Sequence, residues 1–246
     1  YGRNKIHTLD KTMKEKELKD KNILCPDLPR EIFGMDQADI YKYLDASARY
    51  IGEIFPMISG IFYMEEDKEL KKEITHKSYH DEEGIWHHKI TTPFGSLTES
   101  RRPNSSYPDE RILKKKEDFK AALFFLKSQC AEMKFNETIW EIFQEVNSDY
   151  GGRVVPSGFA WRSPYNKCIV ELAGTKNTML LMKRYTKEFD AFCAELERMS
   201  LEIILPEVLK SPVKVIGFGD NVDCRNNPPP VYEKYQHPYF EKKKKM

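Results

Sequence analysis

The stretch V-K-V-I-G-F-G-D-N-V-D at residues 213–223 decides how this sequence is interpreted. It begins as a short apolar segment with β-branched residues and ends abruptly in small and acidic residues. That pattern is typical of a buried β-strand that delivers polar side chains to the mouth of a cavity. In α/β enzymes the catalytic and binding residues lie at such strand ends, so we expect functional side chains in this segment.

The composition indicates a globular chain with almost no net charge. The 246 residues are 40% hydrophobic and 12% aromatic, which is enough for one large domain or two small ones. The 40 basic and 39 acidic residues leave a formal charge of +1. This balance predicts no nucleic-acid partner and no membrane surface, and favours a small molecule or another protein as the partner.

Cysteine usage and hydropathy predict a cytoplasmic location. The 5 cysteines are scattered and never spaced as C-x-x-C, so neither a disulfide framework nor a zinc knuckle is indicated. No apolar run approaches the ~20 residues that span a bilayer, and no signal-peptide pattern opens the chain. A reducing compartment fits these features best.

The first part of the sequence predicts a weak strand and one good helix. Residues 1–21 form a polar lead-in dominated by Lys, Glu and Asp. A short apolar run at 22–25 is stopped by prolines and predicts a first strand. A helical spacing then starts at Asp36, a candidate N-cap, and ends at Pro56.

An antiparallel meander is predicted near residues 72–100, before the next helix. Two β-rich runs, 73–79 and 85–91, flank the turn sequence Asp81-Glu82-Glu83-Gly84. A loop of this length and composition closes a β-hairpin. A third short run at 96–100 completes the meander.

The second half of the chain alternates strands and helices. Apolar strand candidates lie at 153–156 and from 213, and helical patterns surround them. The predicted helices are 116–127, 137–149 with Asn136 as N-cap, 165–173, 177–185 and a long one from Thr186 whose apolar face is Phe189, Phe192, Cys193, Leu196, Met199 and Ile203. This alternation is the signature of βαβ units, so a (β/α) barrel over residues 22–246 is the predicted architecture.

The loop after the first of these strands offers two candidate binding residues. In a barrel, functional groups lie at the C-terminal ends of the strands and in the loops that follow. The Trp161 ring provides a face on which a ligand can stack, and Arg162 can bind a carboxylate or phosphate through two parallel hydrogen bonds. The structural alternative is that Trp161 packs at the rim and Arg162 pairs with a surface acid.

The loop after the second strand offers Asp220, Asn221 and Asp223. Asp220 is the preferred catalytic candidate because it lies nearest the end of the strand. Alternate residues of a strand face opposite sides, so not all three can point into one cavity. The structural alternative is that the acids cap a helix and satisfy loop backbone groups.

Two other features are predicted to carry no chemistry. His76 and His80 are four residues apart, which on a strand separates them by ~13 Å, and His87 and His88 point to opposite faces, so no shared metal site is expected. The lysine run at 241–246 is predicted to be a solvated helix face or a frayed helix end. The common nucleotide-binding and hydrolase motifs are absent from the sequence.

Six segments, in their order and spacing, resemble the uroporphyrinogen decarboxylase-like superfamily, which includes the decarboxylases and the cobalamin-linked methyltransferases of anaerobes. The segments are T-T-P-F-G-S-L-T-E-S at 91–100, I-L-K-K-K-E-D-F-K-A-A-L-F-F at 112–125, S-G-F-A-W-R-S-P at 157–164, I-V-E-L-A-G-T-K-N-T at 169–178, G-F-G-D-N-V-D at 217–223 and V-Y-E-K-Y-Q-H-P-Y-F at 231–240. The resemblance implies a (β/α)8 TIM-type barrel, incomplete at its C-terminus. It also implies that Asp220, Asn221 and the Trp161–Arg162 loop face the ligand.

Two departures from the family pattern bear on function. Decarboxylases carry R-Q-A-G-R after the first strand to hold the porphyrinogen carboxylates, whereas this chain has Cys25-Pro-Asp-Leu-Pro-Arg30-Glu, which leaves Arg30 as the substitute. The methyltransferases bind zinc through an H-x-C motif in the C-terminal part of the barrel, and we expect this chain to end before it. No cofactor is therefore expected within these residues. Zinc and a corrinoid partner are expected only if the missing C-terminal part of the barrel carries the H-x-C motif.

Three functional hypotheses follow. The first is corrinoid-linked methyl transfer to a thiol or pterin acceptor, with a corrinoid protein as partner. The second is decarboxylation of a tetrapyrrole such as uroporphyrinogen, and the third is a barrel that only binds a ligand or partner. A chain with about half the strands of a barrel would expose sheet edges and apolar helix faces, so we expect it to aggregate, or to fold only with its missing part or a partner chain. A homo-oligomer is one form that such a partner can take.

Overall fold

The computed structural model describes residues 31, 35, 37–46, 60–105, 107–149, 151–152 and 155–246. In chain order the elements are α1 (Gln37–Tyr43), β1 (Phe62–Glu65), α2 (Lys68–Lys72), β2 (Thr75–His80), β3 (Trp86–Thr92), β4 (Gly95–Arg101), α3 (Asp118–Gln129), β5 (Glu132–Phe135), α4 (Glu137–Asp149), β6 (Ser157–Phe159), α5 (Pro164–Lys167), α6 (Gly174–Arg184), α7 (Thr186–Met199), α8 (Leu205–Lys210), β7 (Val215–Gly217), α9 (Pro229–Val231) and α10 (His237–Lys244). Wider, π-helical turns extend α5, α7 and α9 over Cys168–Leu172, Ser200–Ile204 and Tyr232–Gln236.

The chain divides into two compact units. The first takes in Tyr1–Ile61, Asn136–Gly158 and Val213–Val215, and its described helices are α1 and α4. In this unit the Asn136 side chain accepts the Ile139 N–H at 3.1 Å, which confirms the predicted N-cap of α4. The Trp140 and Phe143 rings stack on this helix at 5.4 Å between centroids.

The second unit takes in Phe62–Phe135, Phe159–Pro212 and Ile216–Met246, and it contains the predicted meander. Strands β2, β3 and β4 pair antiparallel in that order, with His80 opposite Trp86 and Trp86 opposite Arg101. In the β2–β3 turn, the Asp81 carboxylate accepts the N–H groups of Glu83 and Ile85 at 3.0 and 2.9 Å. This is the local backbone capping that makes aspartate a turn residue.

A second antiparallel pair, β1 with β5, was not predicted from the sequence. Phe62 lies opposite Phe135, and their rings are 5.6 Å apart. Each strand has only four residues, too few for the alternation of apolar and polar side chains to stand out.

Helices α3 and α7 form the centre of the second unit's core. Phe119 of α3 lies 5.0 Å from Phe192 of α7 between ring centroids, and both rings are buried. The predicted apolar face of α7 is confirmed for Phe189, Phe192, Cys193, Leu196 and Met199, all of which are buried. Ile203 falls in the π-helical turn and is half-buried.

Asp118 fixes the chain where α3 begins, and its replacement gives a first test of the fold. Its carboxylate accepts the N–H groups of Lys114 and Lys115 at 2.8 and 3.0 Å, and the side chain is buried. Asp118→Ala leaves two N–H groups without this acceptor, so we expect a loss of ~1–3 kcal/mol in the free energy of unfolding, measured with urea. Asp118→Asn keeps one acceptor oxygen and should lose less; equal losses in both variants would contradict this role.

The described strands form three small sheets, β1–β5, β2–β3–β4 and β6–β7, so the eight-stranded barrel stays a prediction. Strand β6 starts just after the predicted segment 153–156, and helices α5 to α8 lie between β6 and β7 in the chain. A strand does form after residue 213, as predicted, but the prediction that it is buried is wrong, because Val215 is 45% exposed. The reason is that β7 has three residues and, among the described strands, pairs with β6 alone.

Several predictions concern residues outside the described ranges. These are the polar lead-in at 1–21, the strand at 22–25, the cap at Asp36 and the binding candidate Arg30. Of the helix predicted from Asp36 to Pro56, the described part is α1, followed by residues 44–46.

Candidate functional site

Asp220 lies three residues after the end of β7 and directly follows Gly219. Gly219 adopts a φ of +61°, a left-handed conformation that favours glycine. A Cβ atom at this position would lie 3.0 Å from a terminal guanidinium nitrogen of Arg162. The glycine therefore permits both the left-handed backbone and the close approach of the Arg162 guanidinium to it.

The Asp220 carboxylate is held by Ser163 at the start of α5. The Ser163 N–H donates to its two oxygens at 2.9 and 3.2 Å, and the Ser163 hydroxyl donates to Oδ1 at 3.0 Å. Asp220 is half-buried, and burial raises the pKa of its carboxyl above the ordinary value of 3.8. The Ser163 bonds and the charges of Lys243 and Arg162 oppose this rise without cancelling it.

Lys243 brings a buried amine to the same cluster. Its side chain leaves α10 and lies between the rings of Phe218 and Tyr239, with Nζ at 3.4 and 3.8 Å from their centroids. Nζ also donates to the Trp161 carbonyl at 3.4 Å. Burial lowers the pKa of Lys243 to about 7, although the charge of Asp220 acts in the opposite direction.

Tyr239 and Gln236 form the buried support of the cluster. The Tyr239 hydroxyl lies 2.6 Å from the Ser200 hydroxyl and donates to the Trp161 carbonyl at 3.3 Å. Gln236 Nε2 donates to the Ser163 hydroxyl oxygen at 3.3 Å. Within the described part of the chain, Gln236 Oε1 is buried without a hydrogen-bond donor, which leaves a free acceptor next to Ser163.

The cluster combines an acid that holds its proton more tightly than usual with an amine that gives its proton up near neutral pH. Asp220 and Lys243 affect each other's pKa, yet no ion pair joins them among the described residues. An acid with a raised pKa can donate a proton, and an amine with a lowered pKa can accept one. Together with Arg162, the cluster is suited to proton transfer on an acidic ligand.

The structure brings three of the predicted residues together and keeps two others apart. Asp220, Arg162 and the Trp161 backbone carbonyl meet in the cluster. Asn221 and Asp223 are exposed, and the Asp223 carboxylate accepts the N–H groups of Arg225 and Asn226, while its bonds to Asn226 hold its pKa below the usual value. A substrate-binding role for Asn221 and Asp223 stays a prediction.

The side chains of Trp161 and Arg162 have the contacts of the structural alternative. The Lys167 ammonium lies 4.1 Å from the Trp161 ring centroid, and Arg162 Nε lies 3.4 Å from a Glu171 oxygen. Glu171 is exposed and also pairs with Lys167. Arg162 nevertheless remains close enough to lower the pKa of Asp220, so its charge acts on both acids.

Sequence reasoning missed Lys243, Tyr239 and Ser163. The prediction that the lysine run is a solvated helix face is wrong for Lys243, which is 9% exposed, whereas Lys242, Lys244 and Lys245 are exposed. A helix places residues four apart on one face, so the buried Tyr239 places Lys243 on the inner face. That spacing was the available signal.

The histidines of the meander meet in a way that spacing along one strand does not reveal. His76 Nδ1 lies 3.0 Å from His88 Nε2, and His88 Nδ1 lies 2.9 Å from a Glu99 oxygen. The described residues contain no group of three or more His, Cys, Asp or Glu that could hold a metal ion.

Among the helices of the described residues, none is long and apolar enough to cross a membrane.

Comparison with known proteins adds no assignment for this fold and site. No family model, no curated protein and no solved structure matches the chain.

Proposed function

We propose that this chain is part of a uroporphyrinogen decarboxylase-like enzyme that transfers a methyl group from a corrinoid to a thiol or pterin acceptor, with Asp220 and Lys243 handling the acceptor's proton. The ordered series of motifs supports the superfamily. The main support for the site is the pair Asp220 and Lys243. The half-buried Asp220 carboxyl has a raised pKa, and the Lys243 amine beside it has a pKa of about 7. Perturbed pairs of this kind cluster at functional sites.

The chemistry asked of the chain is removal of a proton. The corrinoid, held by a partner protein, supplies the methyl group and is a substrate of the reaction. When the thiol sulfur takes the methyl group, the carbon–cobalt bond breaks and the corrinoid leaves with the bonding electron pair as Co(I). The S–H proton leaves at the same time, and the neutral Lys243 amine can accept it. Asp220 then stabilises the resulting ammonium. In the methyltransferase branch a bound zinc would favour the thiolate, and the described residues of this chain include no group that could hold it.

A tetrapyrrole decarboxylase is the second candidate, and the same cluster favours it in one respect. Loss of CO2 from a carboxylate side chain leaves a carbanion that must be protonated. Asp220, with its raised pKa, can donate that proton, while Arg162 and Lys243 provide positive charge for the remaining carboxylates. The third candidate is a barrel that only binds its ligand. In that case the charged side chains of the cluster would bind the ligand, and no proton would be transferred.

Parallel assays separate the three candidates. The purified chain is incubated with methylcobalamin and a thiol, with methylcobalamin and tetrahydropterin, and with uroporphyrinogen; methylated acceptor and decarboxylated porphyrin are quantified by mass spectrometry. We expect methylated acceptor above the protein-free rate. Porphyrin products with fewer carboxyl groups would instead support the second candidate, and binding of a ligand without turnover would support the third. Absence of both turnover and binding would contradict the proposal.

A further inference from the structure

A polar groove lies on the meander, and its residues are separate from those of the Asp220 cluster. It is an open cavity of about 600 Å3 between the β2–β3 turn and the loop after β4. Its lining includes His80, Trp86, Arg101, Pro103 and Ser105. This volume is within the ~300–1,000 Å3 range of small-molecule sites.

Hydrogen bonds fix both walls of this groove. In the turn, Asp81 binds backbone N–H groups and also pairs with His87 Nε2 at 2.8 Å. In the loop, Arg102 binds Asp109 through its side chain at 2.6 and 2.7 Å and through its backbone N–H at 2.8 Å. The groove is therefore formed before any ligand arrives, which lowers the entropic cost of binding.

Arg101 provides a positive charge that no described carboxylate pairs with. Its guanidinium lies over the Trp86 ring, 5.3 Å from the centroid, so the aromatic face orients it. Two nearby acids have other partners, since Asp109 pairs with Arg102 and Glu99 pairs with His88. Within the described chain, no ion pair is formed by Arg101, and its side chain is exposed.

We propose that this groove binds a small organic oxyanion with an attached ring, an aryl carboxylate or aryl phosphate. Arg101 binds the oxyanion through two parallel hydrogen bonds, and the His80 ring nitrogens lie within the same lining as further polar groups. The Ser105 hydroxyl donates to the Tyr107 carbonyl at 2.6 Å, so it holds the loop and not the ligand. Trp86 and Pro103 supply the apolar surface for the ring. Binding in this groove does not depend on the proposed reaction at Asp220.

Calorimetric titration with three probes tests the site. The probes are inorganic phosphate, benzoate and phenyl phosphate, and the proteins are the wild-type chain, Arg101→Gln and Lys89→Gln. Lys89 lies on β3, like Trp86, but three residues along it, so its side chain faces the other side of the sheet and its replacement removes the same charge outside the groove. Circular dichroism of each variant verifies the fold.

We expect phenyl phosphate to bind more tightly than phosphate or benzoate, because it engages the guanidinium and the ring surface together. Arg101→Gln should weaken that binding roughly tenfold or more, and Lys89→Gln less than about twofold. If benzoate binds and phosphate does not, the site prefers carboxylates; the reverse order selects phosphates. Equal losses in both variants, or no heat from any probe at ~1 mM, would overturn the proposal.

If Arg101→Gln fails to fold, Trp86→Leu provides the second variant, because it removes the ring surface and leaves the charge. Phenyl phosphate should then lose its advantage over phosphate, whereas an unchanged preference would count against the groove.

Discussion

Asp220→Asn is expected to reduce turnover by ~100-fold or more while leaving the fold at least as stable as the wild type. The amide cannot donate or accept the transferred proton, which explains the loss of activity. Its oxygen can still accept the Ser163 N–H, so the start of α5 keeps its acceptor. Burial raises the pKa of the wild-type carboxyl because it penalises the ionised form, and the neutral amide carries no such cost.

The sign of this effect can be followed with pH. The folded-state pKa of Asp220 lies above the unfolded value of 3.8, so the wild type loses stability relative to Asp220→Asn as the pH rises through that interval. Urea denaturation at a series of pH values, together with turnover at neutral pH, measures both effects. Asp223→Asn is the matched control, since that carboxylate is exposed and its pKa is lowered. Full turnover in Asp220→Asn would rule out the proton-transfer role.

Lys243→Met is expected to raise the free energy of unfolding by several kcal/mol near pH 7. Burial moves the pKa of Lys243 from 10.5 to about 7, and each tenfold fall in proton affinity corresponds to ~1.4 kcal/mol. Methionine has a similar length and packs between the Phe218 and Tyr239 rings without a charge. The gain is reduced because Asp220 loses a nearby cation.

The pH dependence distinguishes this explanation from a simple gain in packing. Between pH 7 and 10.5 the unfolded chain holds a proton on Lys243 that the folded chain has released, so wild-type stability rises with pH relative to the variant. The difference between the two proteins should therefore be largest at or below pH 7 and shrink toward pH 10.5. Lys244→Met, at an exposed position on the same helix, should change little. A difference that does not vary with pH would contradict the lowered pKa.

The sequence predicts an element well where the spacing of a few neighbouring residues is enough to determine its structure. The apolar face of α7, the cap at Asn136 and the hairpin closed at Asp81 follow from short-range spacing, because helix periodicity and turn geometry are local properties. Strands β1 and β5 were missed because each is too short to show a pattern. Val215 was predicted to be buried because apolar composition alone cannot tell how many neighbours a strand has.

The candidate site was predictable only in part. Asp220 could be chosen from its position after an apolar segment, but its partner Ser163 lies 57 residues away in sequence. Lys243 looks like one of several solvated lysines until α10 is packed against Phe218 and the Trp161 carbonyl. Tertiary contacts between distant segments create the raised pKa of the acid and the lowered pKa of the amine, and no local pattern encodes such contacts.

A proton-transferring role for Asp220 requires that its own pKa be raised in the folded chain. Carboxyl 13C chemical shifts of the aspartate-labelled chain are followed with pH, and the Asp220 signal is assigned by its disappearance in Asp220→Asn. We predict a midpoint for Asp220 above 3.8, while Asp223 in the same molecule titrates below that value. A midpoint at or below 3.8 would mean that Asp220 only caps the start of α5, and it would contradict the assignment of a proton-transferring group.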